Sequence, residues 1–256
     1  MDVLVCVKRV PATGGRIALT ADERDIDTRF LGFTISPHEE CAVEEAVRIV
    51  EANGGTTTVL TLGPEQAADQ LRDALAIGID RAILLVTDGS DWDPGATATA
   101  ITAAIRGLEA TSGPFDLILF GNESADSGGF QVGLRVATAL DRPIVTGAKG
   151  LTVDPEGASA TVRRQVKGGW EIYDVALPAV VSVREGINLP RYPSVPGRIR
   201  AKRKEIERIA PAHEPLGPVL IRLILPVERR ATAEILGAGP EAAPRVVEIM
   251  REIGVL

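Results

Sequence analysis

Gly121, Gly128 and Gly129 share one short stretch with Ser124, Ser127 and Gln131, a mixture of residue types suited to holding a phosphorylated ligand. Glycine lets backbone approach a ligand with no Cβ in the way, and hydroxyls and an amide can hydrogen-bond phosphate or ribose. The stretch, DLILFGNESADSGGFQVGLRVATA from Asp116 to Ala139, opens on an apolar run, breaks at Gly121 and resumes a helical pattern at Gln131. It reads as a strand, a loop at the strand's carboxyl end and a helix. In open α/β sheets, ligands sit outside the carboxyl ends of the strands, and a helix N-terminus offers free N–H groups and a positive dipole end to an anion. The loop matches neither GxGxxG nor the lysine-containing Walker pattern, so it is no ordinary dinucleotide or P-loop site. By itself, a Gly- and Ser-rich loop of this kind is slightly more often an empty connection than a ligand site.

The elements that must position this loop are legible upstream. A first strand is expected over Val3 to Val10, with Lys8 and Arg9 at its carboxyl end. Pro11 to Ile35 reads as a small hairpin or long loop over the strand ends. In SPHEECAVEEAVRIVEANGG, Ser36 is a good N-cap, Pro37 fits the first turn, and Glu39 three residues after the cap completes a capping box. Ala42, Ala46 and Ile49 share one face, and Gly54 ends the helix. The strand TTTVLTL, the helix PEQAADQLRDALAIG, the strand RAILLV and the helix ATATAITAAIRGLEA follow in alternation. That rhythm predicts βαβ units and a parallel sheet.

After Ala139 the rhythm changes. PIVTGAKGLTV, ATVRRQVKGGWEIYDVAL and PAVVSVRE are strand-like with no helix between them, which predicts an antiparallel extension of the sheet, with Trp170 packed inside it. Pro190, Pro193 and Pro196 exclude regular structure, and Arg198, Arg200, Lys202, Arg203 and Lys204 follow as a basic cluster. The linker APAHEPLGP, an apolar strand VLIRLILPV and a terminal helix in GPEAAPRVVEIMREIGVL complete the chain.

Composition narrows the function. The 256 residues suffice for a sizeable core, 45% are hydrophobic but only 4% aromatic, and the core is expected to be Val, Leu, Ile and Ala. A net charge of −7 argues against a nucleic-acid binder, which needs a basic face, and RIRAKRK lacks interleaved aromatics. Cys6 and Cys41 show no metal or redox spacing, so both are expected to be buried core thiols in a reducing compartment. No run is long enough to span a bilayer and no basic leader precedes the first strand, so a cytoplasmic protein without membrane insertion is expected. No nucleophile–base pairing, paired carboxylates or metal-ligand spacing rises above chance in the sequence.

Six stretches in order resemble one family: VCVKRVP, SPHEECAVEEAVRI, LRDALAIGIDRAILL, GNESAD with QVG after it, GGWEIYDVALPAVVSV and NLPRYPSVPGRIRAKRKEI. Together they are similar to the β subunit of electron transfer flavoproteins from Val3 to about Ile206. The resemblance implies a Rossmann-like fold of the adenine nucleotide α-hydrolase-like type, α/β with a mostly parallel sheet, an antiparallel extension and a C-terminal arm. It implies a nucleotide-binding domain over 1–206, with a recognition segment at 184–204, and a linker, strand and helix over 207–256 that dock on an α subunit. The partner subunit would hold most of a redox-active FAD and this chain AMP. The heterodimer would take electrons from dehydrogenases such as acyl-CoA dehydrogenases and pass them to a quinone oxidoreductase. A second FAD in place of AMP, as in the electron-bifurcating branch, and an AMP- or ATP-binding sensor module are the alternatives.

Position by position, the resemblance places the nucleotide against Cys6, then Ser36, Pro37, His38 and Glu39, then Leu62. The 121–132 loop completes the set: Gly121, Asn122, Glu123, Ser124, Ala125, Asp126, Ser127, Gly128, Gly129, Phe130, Gln131 and Val132. It makes Arg191, Tyr192, Pro193, Ser194, Val195, Pro196, Arg198 and Arg200 a docking segment with Val195 as its apolar anchor. Several positions depart from the family's habit. Ser36 stands where Asn is common, Asn122 where Lys is, Phe130 where Asn is, Gln165 where Glu is, and Val195 where Leu is. Ser127, Gly128 and Gly129 replace an acidic run, which leaves more room and less negative charge near a phosphate.

Overall fold

A computed structural model describes residues 1–12, 14, 17–154, 156, 158–217, 220–226 and 234–256. The chain begins with β1 (Asp2–Val7) and alternates through α1 (Pro37–Asn53), β4 (Thr56–Gly63), α2 (Ala68–Ile77), β5 (Arg81–Val86), α3 (Pro94–Ser112), β6 (Leu117–Gly121) and α4 (Val132–Ala139). A two-stranded antiparallel ribbon, β2 (Val10–Pro11) with β3 (Phe33–Thr34), interrupts the first βαβ unit. It stands for the hairpin expected between Pro11 and Ile35. Arg16, part of the expected piece RIAL, lies outside the described residues.

The first strand is shorter than expected. It stops at Val7 because the Lys8 N–H donates to Glu39 Oε1 at 2.8 Å rather than to a neighbouring strand. The α1 start is as read: Ser36 Oγ accepts from Glu39 N–H, and the Glu39 carboxylate accepts from the Ser36 N–H at 2.8 Å. Gly54 ends the helix at φ 72°, a left-handed conformation that favours glycine.

After α4 come β7 (Ile144–Val153), β8 (Ser159–Val166), β9 (Gly169–Ala176), β10 (Ala179–Val183), α5 (Val195–Arg203), β11 (Ile206–Ile209) and α6 (Ala243–Glu252). One sheet runs β11-β5-β4-β1-β6-β10-β7-β8-β9. It is parallel from β11 to β7, and only the β7–β8 and β8–β9 pairings are antiparallel. The extension therefore holds two of the expected runs, while PAVVSV belongs elsewhere. As β10 it inserts between β6 and β7, parallel to both and buried along its whole length. A run apolar on both faces is what a doubly covered parallel strand requires.

Helices cover both faces. Val3, Val5 and Val7 of β1 pack with α1 and α2, and Leu4 and Cys6 pack with α3 and α4. This split follows from the period-2 alternation of a strand. Cys6 and Cys41 are buried free thiols. Trp170, expected inside the extension, is half exposed, with the Arg163 guanidinium 4.7 Å over its ring.

Two further expectations are corrected. The Pro190–Pro196 region is not irregular throughout: Ser194 Oγ accepts from the Gly197 N–H and starts α5, with Pro196 inside the first turn. A first-turn proline loses no helical hydrogen bond, because that N–H has no intrahelical acceptor. The run VLIRLILPV forms no strand over residues 220–226, where Leu220, Ile221, Ile224 and Leu225 are exposed, and its ends, Val219 and Val227, lie outside the described residues. Without a neighbouring strand an apolar run has no ladder partner. Instead, Ile206–Ile209 adds to the sheet beside β5. No described helix is long and apolar enough to cross a membrane.

Candidate functional site

β1 lies between β4 and β6, so the chain leaves it first toward one edge of the sheet and later toward the other. Crossovers diverge at such a point and leave a crevice outside the strands' carboxyl ends. A cleft of about 470 Å³ opens there. Its wall contains twelve of the residues expected to touch a nucleotide: Cys6, Glu39, Leu62, Gly121, Asn122, Glu123, Ser124, Ser127, Gly129, Phe130, Gln131 and Val132. Four separate chain segments thus meet in one volume, within the range of ordinary ligand sites.

The other expected residues stand behind this wall. Ser36 Oγ donates to the Glu123 carbonyl at 3.1 Å and ties the loop to α1. Pro37 opens α1, Ala125 lies within the loop, and Gly128 closes its turn with an N–H to the Ser124 carbonyl at 3.1 Å. Asp126 pairs with Lys8 Nζ at 2.6 Å. Burial alone would raise the Asp126 carboxyl, but the Lys8 ammonium and hydrogen bonds from Ser124 and Ser127 hold it below the usual range. His38 faces a neighbouring recess instead. Its Nδ1 accepts from the Glu185 N–H at 2.8 Å and its Nε2 lies 3.4 Å from Glu123 Oε1, beside Lys149, Gln165 and Arg184.

The loop's shape is set by its own bonds. Ser124 and Ser127 hydroxyls meet at 3.0 Å, Asn122 N–H donates to the Val183 carbonyl at 2.8 Å, and Ser182 Oγ donates to Asn122 Oδ1 at 3.1 Å. Phe130 adopts φ 54°, a left-handed conformation costly for a side chain with a Cβ, and such residues cluster at ligand sites. Gln131 makes no side-chain cap, so the first N–H groups of α4, at Val132 and Gly133 on the cleft wall, have no helical acceptor. With Lys8, paired to Asp126, and Arg9 also on the wall, the site offers a phosphate backbone donors, a dipole end and two cationic side chains.

Glu39 is the buried anion of the floor. Burial raises its carboxyl to about 7, against the opposing pull of the N–H donors of Ser36 and Lys8. A folded-state value above the unfolded one means that the folded chain binds the extra proton. Stability from this group is therefore complete below about pH 4.5 and is lost as pH rises through 7. Glu39→Gln removes the titration, and urea melts at pH 5 and pH 7.5 are expected to show a smaller stability loss for the variant than for wild type. Equal losses would place the titration elsewhere.

Sequence reasoning missed the far wall: Thr87, Ser90, Asp91, Trp92, Thr97 and Ile101, from the β5–α3 connection and α3, and Thr146 and Ser182 beyond β6. Their only sequence signal is position at strand ends, because DGSDWDPG reads as an ordinary turn.

The docking segment divides. Tyr192 and Val195 are exposed at 96% and 72%, and Ile199, one helical turn after Val195, is half exposed on the same face. Arg191 turns inward: its guanidinium binds Glu44 at 2.9 Å and Glu51 at 2.7 Å on α1. Pro193 lies in the irregular lead-in, Ser194 and Pro196 form the helix start, and Arg198 and Arg200 are exposed on α5. Lys204 also turns in, donating to the Ile79 carbonyl at 2.8 Å, so the basic cluster is not wholly a solvent face.

A family model described as the electron transfer flavoprotein domain matches residues 26–214. A protein of Bacillus subtilis named electron transfer flavoprotein subunit beta is 34% identical over 261 residues, covering 98% of each chain. The mitochondrial electron transfer flavoprotein subunit beta of Oryza sativa subsp. indica is 35% identical over 82% of each. The subunit beta of Mycobacterium leprae is 36% identical over 80% of this chain and 77% of its own.

Proposed function

The chain belongs to the electron transfer flavoprotein family as a β subunit, and from that premise we propose that it pairs with an α subunit, holds AMP structurally in the cleft and helps to retain the α subunit's FAD. The heterodimer docks flavin dehydrogenases, such as acyl-CoA dehydrogenases, and passes electrons to a quinone oxidoreductase. The chain itself makes and breaks no bond.

The observation that carries this reading is the convergence of β1, α1, β4 and the 121–132 loop on one cleft with free N–H groups and Lys8. A monoanionic or dianionic phosphate suits those donors. The exposed row of Tyr192, Val195 and Ile199 beside Arg198 and Arg200 supports the docking role: apolar burial gives the anchor and the cations steer an acidic surface. Val246, Val247, Ile253, Val255 and Leu256 leave the α6 region with apolar surface that an α subunit would cover.

A second reading places another FAD in the cleft. Its support is the cleft's reach, from Trp92 and Ile101 on one side of β1 to Thr146 and Ser182 on the other.

The test is co-expression with the α subunit, purification, denaturation, and identification of every released nucleotide by chromatography and mass spectrometry. One FAD and one AMP per heterodimer is the expected result. Two FAD would favour the second reading. No complex, or ATP bound by the isolated chain, would replace both with a nucleotide sensor.

A further inference from the structure

His213 has no partner suggested by sequence, yet it lies flat on Trp92, with ring centroids 4.0 Å apart and planes inclined by 17°. The contact joins two parts of the chain with different roles. Trp92 lines the cleft from the β5–α3 connection. His213 belongs to the segment that leaves the sheet after β11.

That segment is strapped along the cleft's rim. Beyond the stack, Leu216 N–H donates to Asp93 Oδ2 at 2.9 Å, while Asp93 Oδ1 accepts from Gly95 and Ala96 N–H and caps α3. One carboxylate thus fixes both the helix start and the strap. The hydrogen bonds to it, that from Leu216 foremost, hold the Asp93 carboxyl below its usual range. Farther on, Leu223 N–H donates to the Glu23 carbonyl at 2.7 Å.

Trp92 itself lies one residue before the Asp93 cap of α3, outside strand and helix, and its carbonyl accepts a long hydrogen bond of 3.4 Å from Thr97 Oγ1. Residues 87–93 are held by local turns, with Gly89 at φ 89° and Ser90 bonded to Asp88. One part of the indole packs on the α3–α4 core, and the imidazole supplies the remaining contact. Because His213 is itself exposed, removing it leaves the core intact and frees the ring it covers.

We propose that His213 is a positioning residue for the nucleotide cleft: stacked on Trp92, it holds the wall formed by residues 87–93 against the bound ligand and so slows the ligand's release. The proposal rests on the reading of the cleft as a nucleotide site. Asp93 and Leu216 keep the strap in register, so the imidazole meets the indole without an ordering cost when ligand arrives.

The experiment uses the co-expressed heterodimer loaded with etheno-AMP, a fluorescent adenine nucleotide, and follows its dissociation after dilution into excess AMP. His213→Ala is expected to release the probe about three- to tenfold faster, the scale of one lost aromatic contact. His213→Phe, which keeps a stacking ring, is expected to stay within about twofold of wild type on the same scale. FAD content and melting temperature should not move in either variant. Release from His213→Ala at the wild-type rate would overturn the proposal while leaving the cleft a nucleotide site. Equal acceleration in the phenylalanine variant would also overturn it, because stacking would not be the cause. A wild-type heterodimer that takes up neither AMP nor etheno-AMP would overturn it together with the reading on which it rests.

Discussion

Arg191→Ala is expected to destabilise the chain by on the order of 2 kcal/mol and to slow electron transfer from a partner dehydrogenase. Glu44 is buried, with 5% of its side chain exposed, and Arg191 serves it with three donor groups, the guanidinium's Nε and Nη2 at 2.9 Å and the backbone N–H at 3.1 Å. Removing the cation strands a buried carboxylate, which in fully buried pairs costs about 3–5 kcal/mol; Arg191 is one-third exposed, and water moderates the loss. The same guanidinium reaches Glu51, and Asn188 donates to Glu45 at 2.7 Å, so residues 188–191 are pinned to α1 just before the exposed Tyr192 and Val195. Losing the pin frees the proposed docking face to wander, and an anchor without a fixed frame pays an ordering cost on every encounter. Urea denaturation and stopped-flow flavin reduction read the two effects. The double variant Glu44→Leu with Arg191→Leu should regain most of the stability, since an apolar pair replaces the ionic one without an orphan charge. Val195→Asp, by contrast, should slow transfer with stability unchanged, and a normal transfer rate in Arg191→Ala would remove the positioning role.

Gly121→Val is expected to empty the cleft. A Cβ at Gly121 would lie 2.5 Å from Glu39 Cγ and 3.2 Å from Glu39 N. Glu39 cannot retreat, because it is buried and its carboxylate is held by two backbone N–H groups. The strand end must therefore move away from α1 and take Asn122 and the rest of the loop with it. Overpacking of this kind costs about 1–3 kcal/mol, and the shifted donors should weaken nucleotide binding by at least about tenfold, equivalent to about 1.4 kcal/mol. AMP per heterodimer after gel filtration, together with the thermal melt, measures both. Full AMP with an unchanged melt would show that this close approach is unimportant.

What sequence could supply here was local or periodic. Ser36 and Glu39 announce the α1 start within four residues, and the change from DLILF to a Gly- and Ser-rich loop marks β6 and the cleft loop. The features that were hidden depend on distant partners. PAVVSV looks like the next strand of a meander, and only the open side of β6 makes it a central parallel strand. Arg191 reads as the start of an outward docking segment until Glu44 and Glu51, about 140 residues earlier, are placed beside it. Trp92 enters the cleft wall through the crossover geometry, and no residue near it in sequence gives that away. Pro196 is a first-turn proline because the Ser194 cap stands two residues before it, a pairing that proline spacing alone does not reveal. VLIRLILPV shows the converse: apolar composition predicts burial in something, and among the described residues no strand takes up 220–226.

The place of β10 also dictates an order of assembly on the ribosome. β6 gains its second neighbour only when residues 179–183 have emerged, nearly sixty residues after β6 itself. Until then the nascent sheet has an apolar edge with open N–H and C=O groups, the type of surface that pairs with other chains. The β7–β8–β9 meander, made of sequence neighbours, can close during that wait. The step that joins the two parts is then the insertion of one strand between them, with β11 left to add at the far edge, and a chaperone would act where β6 is still waiting for β10.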